Sequence, residues 1–413
     1  MDEVIDILIE DGRIVEIGSG LVAKDAEEFD AEGLIVAPGL IDMHVHLREP
    51  GLEAKEDIYS GTRAAAAGGF TTIACMPNTK PVIDNAILVS GLLQRAQTEG
   101  IVNVKAIGAL SKGQEGHELA EIGDMIQSGA VAISDDGHYV ESAKLFKNAL
   151  EYTGMFNKPI ISHAEDDSLA SEGVMHEGAI SAMLGLKGRP SAAEDIAVAR
   201  DILLAEYTGS AVHIAHISTM GSVELIRQAK KRGVAVTAEV TPHHIALTDE
   251  AVVGFDVSAK VNPPLRPREH VDALIEGLKD GTIDAIASDH APHAFEEKDR
   301  EYIYAPSGFS GMETSLGVII TSLHHTGILT MKEIIEVMST APAKILQLDG
   351  GEIAVGKKAD ITIIDSNFEW IVDSKKFYTK GKHTPFEGKK LKGKAVATIV
   401  NGEFVMQSGE VVK

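Results

Sequence analysis

The chain has 413 residues, of which 44% are hydrophobic, and its 62 acidic against 38 basic residues give a formal net charge of -24. A chain of this length can bury a large core, whereas its negative charge argues against nucleic acid or an anionic membrane surface as the main partner. The single cysteine, Cys75, excludes an intrachain disulfide framework and is expected to be an inert core thiol. With an acidic N-terminus unlike a signal peptide and no apolar run of membrane-spanning length, the sequence predicts a cytoplasmic protein.

The two ends of the chain resemble each other. Residues 4–36 and 351–413 alternate apolar and polar side chains in short runs, with turn signals at Asp11–Gly12 and Asn401–Gly402. Because neither end is long enough for a substantial core, we expect them to pair into one small β-sandwich domain. Its two parts are predicted at residues 1–38 and 349–413.

The middle of the chain, residues 39–348, alternates short apolar strands with helical stretches that often end in glycine. The predicted strands are residues 39–45, 70–76, 102–109, 130–134, 159–163, 211–216, 234–240 and 283–288. Eight strands separated by helices predict an α/β fold, a TIM-like (β/α)8 barrel with its active site at the carboxyl ends of the strands. The 241–282 region is predicted to be an irregular insertion before the last strand.

Polar side chains collect where these strands end. They are His44, His46, Asn78, Asp135, Asp136, His163, His216, His243, His244, Asp289, His290 and His293. Because the carboxyl ends of parallel strands meet at one rim of a barrel, we expect these groups to converge there.

The pattern of histidines and carboxylates predicts a catalytic metal site. His44 and His46 are two residues apart in a strand, so their side chains point the same way. Imidazole and carboxylate ligands without thiolate are typical of zinc or a similar divalent ion. Four histidines and two aspartates exceed the needs of one tetrahedral ion, which favours two ions about 3.5–4 Å apart. This chemistry is metal-assisted hydrolysis of an amide-type bond, with a carboxylate moving a proton to the leaving nitrogen.

Several longer motifs carry a family resemblance. "PGLIDMHVHLREPG", "MPNT", "AEVTPHH", "NPPLR" and "SDHAPH" occur in this order, and together they resemble the dihydroorotase family of the cyclic amidohydrolase superfamily over nearly the whole chain. The resemblance implies a TIM-like barrel with a β-sandwich made from both termini. It also implies the reversible interconversion of (S)-dihydroorotate and N-carbamoyl-L-aspartate in de novo pyrimidine biosynthesis.

The resemblance also implies a set of metal ligands. His44 and His46 would hold one zinc ion with Asp289, and His163 and His216 would hold a second. Many superfamily members bridge the two ions with a carboxylated lysine, but "AVAISDDG" offers no lysine. The sequence instead resembles the class I, aspartate-bridged branch, in which Asp136 is the preferred bridge over Asp135. Asp289 would also be the general base.

Further residues are expected to bind substrate. In so acidic a protein a local cation must attract an anionic substrate, and the planar guanidinium of Arg48 suits a carboxylate. The resemblance implies that His46, Asn78 and His293 assist Arg48. Asn262 and the backbone groups of Ser307 and Gly308 would contact the ring amide.

The remaining histidines are given structural roles. His213 precedes His216 by an odd number of residues and is expected on the opposite face of its strand. His243 and His244 are expected to pack against the site or orient its ligands. Solvated faces are expected for His117, His176, His270, His324, His325 and His383.

Two other functions compete with this interpretation. A hydantoinase or allantoinase would be expected to have the bridging lysine, and its function would not require an arginine at position 48, two residues after His46. An inactive dihydroorotase-like scaffold would have lost metal ligands, and here the set is intact. The chain is further expected to form a homo-oligomer and to associate with aspartate transcarbamoylase.

Overall fold

The computed structural model of the protein describes residues 3–23 and 26–413. The strands in these residues are β1 Asp6–Glu10, β2 Arg13–Gly18, β3 Ile35–Pro38, β4 Leu40–Val45, β5 Phe70–Cys75, β6 Asn103–Gly108, β7 Ala130–Ile133, β8 Ile160–Ser162, β9 Met175–His176, β10 Gly188–Arg189, β11 Val212–Ile214, β12 Val236–Val240, β13 Ala285–Ile286, β14 Ile361–Ile371, β15 Lys390–Val400, β16 Glu403–Gln407 and β17 Glu410–Val411.

The α-helices lie mainly between the strands of the central sheet. They are α1 Ile58–Gly68, α2 Ala86–Glu99, α3 Ile122–Gln127, α4 Ala143–Gly154, α5 Asp167–Ala170, α6 Ala179–Leu184, α7 Ser191–Thr208, α8 Met220–Lys231, α9 Pro242–Ala246, α10 Arg268–Lys279, α11 Phe295–Lys298, α12 Met312–Ile319, α13 Met331–Ile335 and α14 Ala341–Leu346. Two π-helical segments, Ile320–His324 and Glu336–Thr340, follow α12 and α13. None of the helices in the described residues is both long and apolar enough to cross a membrane.

Eight parallel strands form a barrel. Their order in the sheet is β4, β5, β6, β7, β8, β11, β12 and β13. A parallel bridge between Val45 and His290 brings the last strand back to the first. The prediction of a (β/α)8 barrel is confirmed, and every strand falls inside its predicted range.

Local sequence signals set the limits of the helices. Asp57 caps the start of α1 by accepting a hydrogen bond from the Ser60 N–H. At the other end Gly69 adopts a φ of 90°, a left-handed conformation that a side chain rarely takes. Asn85 caps α2 in the same way as Asp57 caps α1. Each of these two helices therefore begins shortly after the strand that precedes it and ends just before the strand that follows it.

The barrel interior is filled with side chains, so the barrel is a packed core. Met43, Ile107 and Ile161 are buried inside it among several alanines, and Leu346 of α14 closes the lower end. The larger apolar core lies between the outer faces of the strands and the helices. Cys75 is part of that core, and burial raises its pKa to about 12, so the prediction of an inert thiol is confirmed.

Both ends of the chain contribute to a second, antiparallel unit. A five-stranded sheet has the order β17, β16, β15, β14 and β3, and the β1–β2 hairpin forms a separate sheet. Ile9 and Phe29 pack against Ile363 and Phe404 across the two sheets. The predicted β-sandwich from both termini is confirmed, while the exact domain boundaries stay predictions.

The passage from the sandwich to the barrel occurs at Gly39, between β3 and β4. A Cβ atom at this position would lie 2.0 Å from Oγ1 of Thr71 in β5. Glycine is therefore required by the close approach of two strands.

The predicted irregular insertion at 241–282 is wrong in part. The region contains α9 and the 12-residue α10. Val271, Leu274 and Leu278 of α10 are buried at helical spacing. This periodic pattern indicates an ordinary barrel helix, and only residues 247–267 are largely irregular.

Candidate active site

Five histidine and aspartate side chains from four strand ends meet at the rim of the barrel. His44 lies in β4 and His46 follows it. Asp136 comes shortly after β7, and His163 and His216 come after β8 and β11. They form two compact buried groups, each with ligand atoms within 4.8 Å of one another: His44, His46 and Asp136, and then Asp136, His163 and His216.

Asp136 is common to both groups. Its Oδ1 lies 3.2 Å from Nε2 of His44, and its Oδ2 lies 3.5 Å from Nε2 of His46. On the other side Oδ1 lies 3.7 Å from Nε2 of His216 and 3.8 Å from Nδ1 of His163. Burial alone would raise the pKa of Asp136, but the neighbouring imidazoles hold it well below its usual range. An ionised carboxylate between four imidazoles is the arrangement that a bridging ligand needs.

The donor set fits a divalent cation. Nε2 of His44, Oδ1 of Asp136 and Nδ1 of His216 are buried and have no hydrogen-bond partner among residues 3–23 and 26–413. Buried polar atoms are almost always paired. The unpaired atoms of His44 and Asp136 lie 3.2 Å apart, and Nδ1 of His163 lies 2.9 Å from Nε2 of His216. These imidazole and carboxylate groups are close enough to share metal ions.

Asp135 points elsewhere. Its Oδ1 accepts hydrogen bonds from the N–H groups of Leu110 and Ser111, at 2.8 and 3.0 Å, and Oδ2 accepts from the Ser111 hydroxyl. Asp135 thus stabilises the loop after β6 through hydrogen bonds. The geometry therefore favours Asp136 as the carboxylate that would bridge two metal ions.

Asp289 lies beside the first group. Its Oδ1 is 3.1 Å from Nε2 of His46 and 3.6 Å from Nε2 of His44. Although burial acts in the opposite direction, the hydrogen bond from His46 and the charges of the nearby histidines hold its pKa well below the usual range. Asp289 and His216 have φ values of 47° and 33°, which are strained for residues with a side chain. Such strain is concentrated at functional sites, where the surrounding structure fixes side-chain direction.

Glu239 is a site residue that the sequence analysis missed. It is fully buried in β12, and its Oε1 accepts a hydrogen bond from Nδ1 of His44 at 2.6 Å. Burial opposes ionisation, but His44 and His213 lower the pKa of Glu239 to about 2. A glutamate inside an otherwise apolar strand was the signal that could have revealed it, because an unpaired carboxylate is almost never buried.

The predicted orientation of His213 is wrong. Its Nε2 lies 3.2 Å from Oε2 of Glu239, inside the barrel and beneath the metal ligands. The two-residue alternation does not reach His216, because β11 ends at Ile214 and the backbone turns at His216 with a positive φ.

Arg48 lies half-buried at the same rim. Its Nε donates to the Pro292 carbonyl at 3.2 Å, and no carboxylate of the described chain is among its ion-pair partners within 4.0 Å. The guanidinium therefore remains available for an anionic ligand. Asn78 is already engaged, since its Oδ1 accepts from Nδ1 of His46 at 2.9 Å and its Nδ2 donates to Oδ2 of Asp136 at 3.3 Å.

Asn262 joins a partly buried polar network around His163. Its Nδ2 lies 3.2 Å from Nε2 of His163 and 3.0 Å from Oε2 of Glu165. Arg189 donates to both Asn262 and Glu165, at 2.5 and 2.6 Å. Burial opposes ionisation of Glu165, but its hydrogen bond and charge pairing with His163, together with Arg189, lower its pKa to about 2. Glu165 and Arg189 were not predicted from the sequence.

His293 connects the rim to the segment that holds Ser307 and Gly308. Its Nε2–H donates to the Ser307 carbonyl at 2.7 Å. Its buried Nδ1 has no hydrogen bond within the described residues and lies 3.5 Å from Oε2 of Glu297. Burial and the nearby Arg48 lower the pKa of His293 to about 3, so the ring is neutral. Gly308 has a φ of 113°, and a Cβ there would lie 2.7 Å from Cβ of Ala291.

The two histidines after β12 are buried. His244 bonds to Oγ1 of Thr241 and to the Pro263 carbonyl, at 2.7 and 3.0 Å. His243 packs against Phe309, with ring centroids 5.0 Å apart. These contacts fit the expected packing role.

The expectation of solvated faces is wrong for His176 and His270. Each is only 7% exposed, and Nδ1 of His176 accepts from Arg266 at 3.1 Å. His117 and His325 are exposed, whereas His324 and His383 are half-buried.

Comparison with known proteins agrees with this geometry. A family model described as Dihydro-orotase-like matches residues 33–222, and one described as Amidohydrolase family matches residues 192–406. Among solved structures, the chain is similar to an L-hydantoinase from Arthrobacter aurescens, with a TM-score of 0.90 and 28% identity over 99% of this chain and 94% of that one.

Two relatives found by sequence share a higher identity with this chain than the L-hydantoinase does. A dihydroorotase from Pelotomaculum thermopropionicum is 57% identical over 97% of this chain and 94% of its own. A dihydroorotase from Acetivibrio thermocellus is 55% identical over 98% of this chain and 95% of its own. This protein therefore belongs to the dihydroorotase family.

Proposed function

We propose that the protein catalyses the reversible hydrolysis of the cyclic amide of (S)-dihydroorotate to N-carbamoyl-L-aspartate, a step of de novo pyrimidine biosynthesis. The observation that carries the proposal is the intact ligand set beside a guanidinium without a carboxylate partner. The metal ligands would support hydrolytic chemistry, and the guanidinium of Arg48 would recognise an acidic substrate.

We propose zinc as the metal, with two ions per chain. His44 and His46 with Asp289 would hold one ion, His163 and His216 the other, and Asp136 would bridge them. When bound, the ions make hydroxide available near neutral pH and polarise the carbonyl that is attacked. The two compact groups that share Asp136 support this assignment.

Asp289 is proposed as the general base as well as a ligand. Its carboxylate lies at the rim, 3.1 Å from Nε2 of His46, where it can accept a proton from a group attacking the substrate. In the hydrolytic direction it takes the proton of the attacking group and passes it to the ring nitrogen as the C–N bond breaks. In the cyclisation direction it takes the proton from that nitrogen.

Substrate orientation is assigned to the groups around the rim. Arg48 binds the substrate carboxylate, and His46 and Asn78 border the same position. The neutral His293 presents a lone pair at Nδ1, which suits an N–H of the ring. Asn262 and the backbone at Ser307 and Gly308 contact the ring amide.

Hydantoin hydrolysis is the competing activity, because the solved structures that resemble this chain include hydantoinases. Two observations favour dihydroorotate. The bridging position holds an aspartate where a hydantoinase would have a lysine, and identity to dihydroorotases is 57% against 28% to the L-hydantoinase. An inactive scaffold is disfavoured because none of the proposed ligands is missing.

The test is an assay of the purified, zinc-loaded protein on dihydroorotate, hydantoin and allantoin side by side. We expect turnover of dihydroorotate and at most trace activity on the other two. A preference for hydantoin or allantoin would reject the proposed substrate, and inactivity on all three with no bound metal would support the scaffold alternative.

We further propose a cytoplasmic protein that forms a homo-oligomer and associates with aspartate transcarbamoylase. The free, buried Cys75 fits a reducing compartment. Sedimentation of the protein alone and mixed with aspartate transcarbamoylase tests both associations.

A further inference from the structure

A loop beside the rim, residues 302–308, is held by two buried lysines. Nζ of Lys298 donates to the carbonyls of Pro306 and Gly308, at 3.0 and 2.8 Å. Nζ of Lys260 donates to the carbonyls of Tyr302 and Ile303, at 2.7 and 3.1 Å. Lysine amino groups therefore hold the loop near both of its ends.

These two lysines are unusual because both are buried and neither has a carboxylate partner. Lys298 is 1% exposed and Lys260 is 6% exposed. Neither forms an ion pair within 4.0 Å with any carboxylate of the described residues. Burial lowers the pKa of Lys298 to about 7 and that of Lys260 to about 8. A buried amino group without a carboxylate needs hydrogen-bond acceptors, and the loop carbonyls supply them.

The lysine contacts surround the backbone at Ser307 and Gly308, which is proposed to contact the ring amide. Between the two carbonyls bound by Lys298 lies the Ser307 carbonyl, which accepts from His293 at 2.7 Å. The Gly308 N–H donates to the backbone carbonyl of Lys260 at 2.9 Å. The three consecutive carbonyls of residues 306 to 308 thus each accept a hydrogen bond. The donors, His293 and Lys298, lie outside the loop and fix the orientation of these carbonyls.

We propose that Lys298 and Lys260 are positioning residues of the substrate site, which hold the 302–308 loop so that Ser307, Gly308 and His293 meet the ring amide in a fixed geometry. The inference rests on the proposed function, because it refines the site for that substrate. Both lysines act through the loop, and neither contacts the reacting atoms.

This arrangement predicts a specific kinetic effect. Loss of the lysine donors leaves buried carbonyls unpaired and allows the loop to adopt other conformations. Substrate binding should then weaken, whereas the metal ligands and Asp289 lie on other segments and should keep their geometry. KM should therefore rise while kcat changes little.

The experiment compares wild type with Lys298→Met, Lys260→Met and Lys298→Arg, all zinc-loaded and checked for metal content and thermal stability. Lys105→Met is the matched control, since Lys105 is half-buried in β6 and distant from the loop. Wild type is first assayed on dihydroorotate, hydantoin and allantoin, and the variants are then measured on the substrate that it hydrolyses.

We expect each Met variant to raise KM about fivefold or more with kcat within about twofold of wild type. Lys298→Arg should recover part of the loss because the guanidinium supplies donors, and Lys105→Met should match wild type. If one Met variant does not fold, the other still tests the inference.

Unchanged KM in the variants that fold would overturn the inference, as would a loss confined to kcat and metal content. A wild type that prefers another substrate rejects the proposed function, while the lysine comparison on that substrate still decides the inference. A wild type inactive on all three rejects both.

Discussion

Glu239 accepts a hydrogen bond from Nδ1 of His44 at 2.6 Å, on the side of the imidazole away from the two ligand groups. The contact holds a proton on Nδ1, so that Nε2, 3.2 Å from Asp136, is the atom that would face a metal ion. A carboxylate behind a metal-binding histidine fixes its ring and increases its basicity. The geometry of β12 therefore controls a ligand that comes from β4.

Glu239→Gln should weaken metal binding by about 10-fold or more, because the amide removes the negative charge behind His44. The measurement is competition for zinc between the protein and a chelating dye. Glu369→Gln, at an exposed position of β14, is the control and should keep the wild-type affinity. Equal affinities for wild type and Glu239→Gln would show that this contact does not tune the site.

Asp289→Asn should lower kcat by about 10²- to 10⁴-fold, because an amide cannot accept and return a proton. Zinc should stay largely bound, since the five other proposed ligands, which form the two compact groups, remain. Turnover and metal content are measured on the same sample, with the exposed Asp280→Asn as control. Retained activity, or loss of metal in proportion to activity, would contradict the role of general base.

Arg48→Ala should mainly raise KM for dihydroorotate. A charge-assisted hydrogen bond contributes about 1.5–3 kcal/mol, which corresponds to roughly 10- to 100-fold in binding. Steady-state kinetics test this, with Arg227→Ala as control because that arginine is paired with Glu224 and Asp280 on the outer helices. An unchanged KM would reject the assignment of the substrate carboxylate to Arg48.

His176→Asn should change the acid dependence of stability. Burial, Arg266 and His270 lower the pKa of His176 from 6.5 to about 4. As the pH falls from 6.5 towards 4, the unfolded chain gains a proton that the folded protein does not, so the contribution of His176 to stability is lost. The total effect is about 3 kcal/mol.

Thermal unfolding between pH 7 and 4.5 measures this effect. Relative to wild type, His176→Asn should become more stable as the pH falls, whereas His117→Asn, at an exposed position, should follow wild type. Parallel pH profiles for wild type and His176→Asn would show that His176 titrates normally.

The barrel and most of the rim could be predicted because local patterns encode them. Each strand is a short apolar run, and polar residues such as His44 and Asp289 stand at its end. Helix α10 was missed because charged residues obscure its apolar spacing, although Val271, Leu274 and Leu278 are regularly placed.

The residues that sequence analysis could not assign depend on contacts between distant segments. Glu239 meets His44 across 195 positions of the chain, and Arg189 meets Asn262 across 73. The prediction of the orientation of His213 was wrong for a local reason, because the alternation of side chains stops where β11 ends. Burial of His176 depends on Arg266, which no periodic pattern reveals.

The most direct test of the central claim, that these strand ends form a two-metal hydrolytic site, is a zinc titration of chelator-treated protein followed by dihydroorotate turnover. We predict that activity is absent without metal and reaches its maximum when two zinc ions are bound per chain. Full activity in the metal-free protein, or zinc bound without any gain in turnover, would contradict the claim.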